Sequence, residues 1–282
     1  MTMNLILQGP DASSTGLAAI AALANPARTL RLHAHAIRCE AVDYSSALQQ
    51  SIGAASYAAQ IDATFIKAGR TLADFKLVCM DMDSTLITIE CIDEIADMQG
   101  LKIQVAEITE AAMRGELDFG ESLTRRVALL EGLDAAALQR VYDERVKISM
   151  GGERMLTAVR AAGLKTLLVS GGFTFFTDRL KLRLGLDFTH ANQLGIANGK
   201  LTGTIVGRIV DGAEKKRTVQ RVCIEMGISP EQAIVMGDGA NDLDMMRIAG
   251  LSVAFRAKPV VRAQADVALN FVGLDGVTTL LG

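Results

Sequence analysis

The chemistry-bearing residues of this chain begin with two aspartates that follow a short apolar run. Asp81 and Asp83 come directly after Leu77 to Met80. An aspartate can attack phosphorus and form an acyl phosphate, while a second one protonates the leaving oxygen and later activates water. Because an anionic carboxylate must approach an anionic phosphate, this chemistry would use Mg²⁺ as a shared cation. A turn or a helix N-cap is the alternative interpretation of these residues.

A second acidic segment, GDGAND at 237–242, also follows an apolar run. If the two runs are neighbouring strands, Asp238 and Asp242 converge with Asp81 and Asp83 at one edge of a sheet. Such a cluster of like charges is costly unless a cation shares it. The pattern therefore favours a metal site over a flexible turn with an N-cap.

Two further segments suit phosphate binding. Ser170-Gly171-Gly172 follows another apolar run, and its glycines would let backbone N–H groups point at a phosphate near a helix start. Lys215 lies near the start of a predicted helix, where it could neutralise phosphate charge. Lys216 is its direct competitor, and a run of cations is also typical of a solvated helix face.

Alternating strand and helix patterns must position these residues. The predicted strands are short apolar runs at 76–80, 165–169, 233–236, 252–255 and 267–269. Helical periodicity follows at 153–161, 174–184, 216–226 and 243–249. This alternation predicts a parallel sheet covered by helices on both faces. Asn198-Gly199 lies between two strand-like runs and predicts a hairpin.

Three blocks organise the chain. Residues 1–73 show a βαβα order that predicts a small α+β module, with a strand at 30–41 and a helix at 46–68. Residues 74–88 and 149–282 carry the α/β pattern. Residues 89–148 interrupt it after the first core strand with four helical stretches, which predicts a cap over the ligand-binding edge of the sheet.

Composition excludes several functional classes. The chain has 282 residues, 50% of them hydrophobic, and a net charge of −3, which does not suggest a nucleic-acid binder. No apolar stretch approaches the ~20 residues that span a bilayer, and no signal peptide is evident. The four cysteines form no CxxC pair and no zinc-ligand spacing. We expect a soluble cytoplasmic protein with reduced thiols.

The ordered motifs resemble the haloacid dehalogenase superfamily, whose pattern is Asp-x-Asp-x-Thr, then Ser, then Lys, then Gly-Asp-x-x-x-Asp. Within it, the match extends to the phosphoserine phosphatase family through the cap segments ECIDEIA at 90–96 and MRGELDF at 113–119, and through Ala257-Lys258-Pro259. It covers residues 76–282. The resemblance implies a Rossmann-like core with a parallel sheet and a helical cap. It also implies Mg²⁺-dependent hydrolysis of O-phospho-L-serine, the last step of serine biosynthesis.

The resemblance also implies a role for each matching residue. Asp81 would be the nucleophile and a metal ligand, and Asp83 the acid/base and a ligand through its carbonyl. Asp238 would be the other metal ligand, ordered by Asp242. The implied substrate contacts are Ser170, Gly171 and Lys215 on the phosphate, Asn241 shaping that loop, Glu90 on the ammonium, Arg126 on the carboxylate, and Met113 and Phe119 packed over the site.

Several alternatives stay open at this point. The same chemistry could act on another small phosphomonoester or transfer the phosphoryl group to an acceptor alcohol. A non-catalytic sensor of phosphoserine or serine is disfavoured, because such a module has no use for a nucleophile. Arg125 competes with Arg126 for the carboxylate. The resemblance leaves open a homodimer and a regulatory or dimerising role for residues 1–73, and it implies no nucleic-acid or membrane partner.

Overall fold

The computed structural model describes residues 3–282, apart from the side chain of Met113, and contains two β-sheets. The smaller sheet has the order β2-β3-β1-β4 and is antiparallel. Its strands are β1 (Met3–Gln8), β2 (Arg28–His33), β3 (Ala36–Val42) and β4 (Asp62–Lys67). Two helices complete this unit, α1 (Ser14–Leu23) and α2 (Ser46–Ala58).

The expected βαβα order of this unit is wrong, because the structure has βαββαβ. The single strand predicted at 30–41 is two strands, β2 and β3, which reverse at a turn and pair antiparallel. The long helix predicted at 46–68 ends at Ala58, and Gln60 follows with φ of +55°. Residues 62–67 then alternate in burial and pair with β1. The alanine-rich composition extended the helical pattern into a segment whose conformation is set by sheet pairing.

The larger sheet confirms the predicted α/β core. It has the order β11-β10-β9-β5-β6-β7-β8, and its strands are parallel except for the β7–β8 pair. The strands are β5 (Leu77–Met80), β6 (Lys165–Phe173), β7 (Phe188–Ala197), β8 (Lys200–Val206), β9 (Ala233–Gly237), β10 (Leu251–Phe255) and β11 (Val267–Leu269). Because β5 lies between β9 and β6, the segments that follow these three strands meet at one edge.

The antiparallel pair β7–β8 is the hairpin predicted from Asn198-Gly199. Both residues have positive φ, +51° and +75°, as a two-residue hairpin turn requires. Asparagine and glycine tolerate this left-handed conformation better than other residues, which explains why the dipeptide marks the turn.

Helices occupy both the region between β5 and β6 and the faces of the sheet. Between those strands lie α3 (Cys91–Asp97), α4 (Lys102–Met113), α5 (Phe119–Ala128) and α6 (Ala136–Arg145), matching the four helical stretches expected there. Later helices are α7 (Gly152–Ala161), α8 (Thr174–Leu184), α9 (Gly212–Met226), α10 (Leu243–Met246), α11 (Pro259–Arg262) and α12 (Gly276–Leu281). The helix predicted at 243–249 is shorter than expected.

A continuous apolar core joins helices α3, α5 and α6 to the sheet. Leu123 and Val127 of α5 belong to the same buried cluster as Val78 and Met80 of β5. Ile66 of β4 also belongs to it, so the smaller sheet packs against the same core. Burial of this apolar surface is the main force that sets the position of the α5 side chains relative to the sheet edge. No helix within residues 3–282 combines the length and the hydropathy that crossing a bilayer would need.

Candidate active site

The loop after β5 holds Asp81 and Asp83 in different orientations. Asp81 is buried, and its Oδ1 accepts a hydrogen bond from the Met82 amide at 2.6 Å. The backbone then makes a tight turn in which Ser84 has φ of +54°. Asp83 Oδ1 accepts from the amide of Cys91 at 3.1 Å, which ties this carboxylate to the start of α3.

Lys215 lies beneath Asp81 and joins it to the second acidic segment. Its Nζ is 2.7 Å from Asp81 Oδ2 and 2.7 Å from Asp242 Oδ1, and its side chain is fully buried. The first turn of α9 holds it there, where Asp211 caps the helix by accepting from the Glu214 amide. A buried cation between two carboxylates offsets their mutual repulsion.

The segment after β9 brings the other acids to the same place. Asp242 Oδ2 accepts from the amide of Gly239 at 3.0 Å, which closes this loop on itself. Asp81, Asp238 and Asp242 each present an oxygen, and these oxygens all lie within 4.8 Å of one another. Carboxylate oxygens at this spacing are the hard ligands that Mg²⁺ prefers, so the donor set fits a divalent cation.

Burial and like charges raise the pKa of both Asp81 and Asp238. Burial, followed by the charge of Asp242, raises the pKa of Asp81 well above its usual value, although Lys215 opposes this. Burial, then Asp242 and Glu90, raises the pKa of Asp238 to about 7. A bound cation would counter the repulsion behind these shifts, which further supports the fit of a metal.

The pKa of Asp83 is raised by the same causes, whereas that of Lys215 is raised by opposite charges. Burial and then the nearby Glu90 raise the pKa of Asp83 to about 7. A carboxyl group with this pKa can both give and take a proton near neutral pH, as a general acid/base must. Burial alone would lower the pKa of Lys215, but Asp242 and Asp81 raise it above its usual value, so this amine stays charged.

Ser170, Gly171 and Gly172 lie in the last part of β6, which is longer than the strand predicted at 165–169, and the two glycines are closely surrounded there. A Cβ on Gly172 would lie 2.5 Å from Asp83 Oδ2, and one on Gly171 would lie 2.7 Å from the ring of Phe119. Ser170 Oγ accepts from the Gly172 amide at 2.8 Å. This end of β6 therefore lies directly beside the Asp83 carboxylate and faces the Phe119 ring from α5.

One pocket collects most of the predicted site residues. It is lined by Asp81, Asp83, Glu90, Phe119, Arg126, Ser170, Gly171, Asp238 and Asn241, together with Ile92, Leu123, Gly172, Phe173, Gly239 and Lys258. Lys215 and Asp242 are not among these residues, and both of their side chains are fully buried. The side chain of Met113 is outside the described part of the chain, so its predicted contact stays a prediction.

The α3–α6 helices place an acid and an arginine at the pocket. Ser84 Oγ donates to Glu90 Oε1 at 2.7 Å. Arg126 is partly buried and lines the pocket, whereas Arg125 is 55% exposed and pairs with Glu121 at 2.6 Å. Of the two candidate arginines, only Arg126 therefore faces the pocket. Burial lowers the pKa of Arg126, and the charges of Asp93, Glu90 and Asp83 oppose that change.

The same region of the chain matches a known family. The family model of haloacid dehalogenase-like hydrolases matches residues 75–250, which include both acidic segments, Ser170 and Lys215. The chain belongs to the haloacid dehalogenase-like hydrolases. The resemblance inferred from the motifs is thus confirmed, as is the assignment of the chain as an enzyme.

Relatives within this hydrolase family share much of the sequence and the fold. A phosphoserine phosphatase from Polaromonas sp. is 57% identical over 215 residues, which cover 74% of this chain and 91% of that protein. A HAD family hydrolase from Salmonella enterica serovar Typhi has a TM-score of 0.90 and 33% identity, covering 100% of this chain and 99% of its own. A probable phosphoserine phosphatase from Vibrio cholerae has a TM-score of 0.83 and 34% identity, covering 99% and 86%.

Lys258 and Asn192 are polar residues of this hydrolase site to which the sequence analysis assigned no role. Lys258 lines the pocket, and its amide donates to the Asp238 carbonyl at 3.1 Å. The segment Ala257-Lys258-Pro259 contributed to the family resemblance, and that match could have pointed to Lys258. Asn192, on β7, donates to the Gly171 carbonyl at 2.7 Å and accepts from the Val210 amide at 2.8 Å. No local pattern marks Asn192, because its role depends on strands that meet only in the fold.

Proposed function

We propose that this chain is a Mg²⁺-dependent phosphoserine phosphatase that hydrolyses O-phospho-L-serine to L-serine and phosphate. The observation that carries the proposal is that Asp81, Glu90 and Arg126 line the same pocket. Phosphoserine has an ammonium group and a carboxylate besides its phosphate. An acid suits the first, and the guanidinium fork suits the second. The relatives named phosphoserine phosphatase support the same substrate.

The first half of the proposed reaction transfers the phosphoryl group to the enzyme. An Asp81 carboxylate oxygen attacks phosphorus, and the bond from phosphorus to the serine oxygen breaks. Asp83, whose pKa lies at about 7, donates its proton to that oxygen, so that serine leaves as the neutral alcohol. The product on the enzyme is an aspartyl phosphate at Asp81.

The second half returns the proton and frees the phosphate. Asp83, now a carboxylate, takes a proton from a water molecule that attacks the phosphorus of the aspartyl phosphate. The bond to the Asp81 oxygen breaks, which restores the free carboxylate and releases inorganic phosphate. Lys215 keeps the negative charge of Asp81 and Asp242 partly neutralised throughout, through its two contacts of 2.7 Å.

Asp81 and Asp238, with the backbone carbonyl of Asp83, would hold the magnesium ion, and Asp242 would order this arrangement. When bound, the ion neutralises phosphate charge and stabilises the charge of the transferring group. Ser170, Gly171 and Asn241 would hold the phosphate. Lys215 would act on the phosphate through its positive charge. Its Nζ itself contacts the carboxylates of Asp81 and Asp242.

We further propose that residues 89–148 act as a cap that selects the substrate, on a core formed by residues 74–88 and 149–282. Glu90 would bind the ammonium group and Arg126 the carboxylate. Phe119 and Met113 would cover the substrate. The close approach of the Phe119 ring to Gly171 supports this arrangement, because it brings α5 against the end of β6 that would hold the phosphate.

Phosphate release from a panel of phosphomonoesters, with Mg²⁺ and with excess chelator, tests the proposal. We expect chelator-sensitive activity with a strong preference for phosphoserine over phosphoethanolamine, which lacks the carboxylate, and over aryl phosphates. Metal-dependent activity that ignores phosphoserine would retain the role of Asp81 but reject Glu90 and Arg126 as substrate-binding residues. Activity that survives the chelator would contradict the metal assignment.

A further inference from the structure

A second cleft lies where the smaller sheet unit packs on the core, away from the active-site pocket. Its volume is about 320 Å³, near the lower end of the ~300–1,000 Å³ range of small-ligand sites. It is lined by Tyr57, Arg256, Ala257, Arg262, Asn270 and Phe271. Tyr57 comes from α2, Arg262 ends α11, and the other residues directly follow β10 or β11. A ligand in this cleft would therefore contact both parts of the molecule.

The charged residues that line the cleft are all positive. Arg256 and Arg262 line it, and no carboxylate is among the lining residues. Arg262 donates to the Asn270 side-chain oxygen at 3.3 Å and lies 5.7 Å from the centre of the Tyr57 ring. The guanidinium of Arg256 lies 5.4 Å from the centre of the Phe255 ring. Within residues 3–282, neither arginine forms an ion pair with a carboxylate.

The carboxylate connected to this cluster is Asp62, and its oxygens are already occupied. Asp62 is buried and accepts four hydrogen bonds, from the amides of residues 270, 271 and 272 and from the Asn270 side chain, at 2.8 to 3.2 Å. It therefore holds Asn270 in place rather than neutralising an arginine directly. The two guanidinium groups remain available to an anion from solvent.

The backbone connects this cleft to the active site over two residues. Arg256 has φ of +45°, an uncommon value for a non-glycine residue, and its amide donates to the Leu269 carbonyl at 2.8 Å. Two residues later, the Lys258 amide donates to the Asp238 carbonyl, and Lys258 lines the active-site pocket. A ligand that held Arg256 would also restrict the segment that carries Lys258.

We propose that this cleft binds a small phosphate-bearing ligand, separately from the catalytic pocket. Two arginines match the charge of about −2 that a phosphate group carries near neutral pH, and their planar forks match its oxygens. The ligand is inorganic phosphate or a small phosphomonoester, and both present the same group to Arg256 and Arg262. The site does not depend on the proposed catalytic activity.

Equilibrium dialysis with radiolabelled inorganic phosphate against the full chain tests this site. We expect the double variant Arg256→Ala, Arg262→Ala to bind one phosphate fewer per chain than the unaltered protein. This difference is independent of whether the catalytic pocket also binds phosphate. A control with Arg217→Ala and Arg247→Ala removes two exposed arginines that pair with carboxylates on the same core, and it should bind as the unaltered protein does.

A second probe distinguishes the two sources of the ligand. O-phosphoserine, dialysed against chains carrying Asp81→Asn to prevent turnover, reports binding of an esterified phosphate. Loss of one site in the double variant with phosphoserine alone would identify an esterified ligand, and loss with both probes would identify the phosphate group itself. Equal stoichiometry in the double variant and its parent with both probes would overturn the proposal.

A milder variant keeps the test valid if the double variant unfolds. Arg256→Gln leaves the Arg262–Asn270 contact and the Tyr57–Phe271 ring pair in place. Loss of one charge-assisted contact should weaken phosphate binding at this site about tenfold or more. Unchanged affinity in Arg256→Gln, with an unchanged melting temperature, would also contradict the site.

Discussion

The two sides of the active-site pocket hold their charged residues in different ways. On the sheet side, Lys215 is fully buried and lies 2.7 Å from two carboxylates. On the helical side, Glu90 is exposed, and Arg126 is partly buried with a hydrogen bond to the Ser122 carbonyl at 3.4 Å. On the sheet side, the charged groups are therefore held by one another. On the helical side, Glu90 and Arg126 have hydrogen-bonding capacity left for a ligand.

This difference suits the sheet side to the chemical steps and the helical side to substrate recognition. Charges buried against each other are costly to rearrange, so they suit steps that every phosphomonoester shares. Partly exposed side chains can exchange water for the groups of one particular substrate. We therefore expect changes on the sheet side to affect all substrates equally and changes on the helical side to affect phosphoserine selectively.

The largest effect should follow Asp81→Asn, which removes the nucleophile from the sheet side. We expect kcat to fall by about 10⁴-fold or more with phosphoserine and with an aryl phosphate alike. Steady-state kinetics on both substrates measure this, and circular dichroism checks the fold. Retained turnover of either substrate would rule out Asp81 as the nucleophile.

Lys215→Met should be the next most damaging change, because it leaves Asp81 and Asp242 without their buried counter-charge. We expect about 3–5 kcal/mol less stability and a kcat lower by about 10²–10³-fold for every substrate. Urea unfolding and kinetics measure the two effects.

Lys216→Ala is the matched control, since Lys216 is the neighbouring cation and is only partly buried. It should change stability and kcat little. Equal losses in the two variants would show that the buried contacts of Lys215 have no special role.

Arg126→Ala tests whether the helical side of the pocket selects phosphoserine over other phosphomonoesters. We expect kcat/KM for phosphoserine to fall by about 10- to 100-fold, because a charged hydrogen bond to the carboxylate is lost. Activity on an aryl phosphate should change little. Arg125→Ala is the control, since Arg125 is exposed and pairs with Glu121. If Arg126→Ala slows both substrates equally, Arg126 does not bind the carboxylate.

The smallest expected effect is on the pH dependence of kcat/KM, which links Asp83 on the sheet side to Glu90 on the helical side. Burial and then the charge of Glu90 raise the pKa of Asp83 to about 7. Because Asp83 must be protonated to act as the acid, kcat/KM should fall as the pH rises above about 7. Glu90→Gln removes one cause of the raised pKa, so this fall should move to lower pH. Profiles with an aryl phosphate measure it, and an unchanged profile in Glu90→Gln would contradict the coupling.

The core of the fold was predictable because its signals are local. The strands at 233–236 and 267–269 are short apolar runs between turn residues, and both are present with nearly the predicted bounds. The smaller sheet unit was not predicted correctly, since the partners of its last strand, β4, are distant in sequence. Alanine-rich residues before that strand favour a helix, and pairing with β1 overrides this preference.

The sequence by itself determined that the core is a parallel sheet and which residue types lie at the carboxyl ends of its strands, whereas the strand order β9-β5-β6, which brings the two acidic segments and Ser170-Gly171-Gly172 together, came from the structure. Only the tertiary structure decided that Lys215 lies beneath Asp81, that Asn192 holds the Gly171 carbonyl, and that Arg126 rather than Arg125 faces the pocket. Periodicity and turn residues are properties of neighbouring positions. The distance between Lys215 and Asp242, or between Asn192 and Gly171, is set by how strands and helices pack, which no local pattern records.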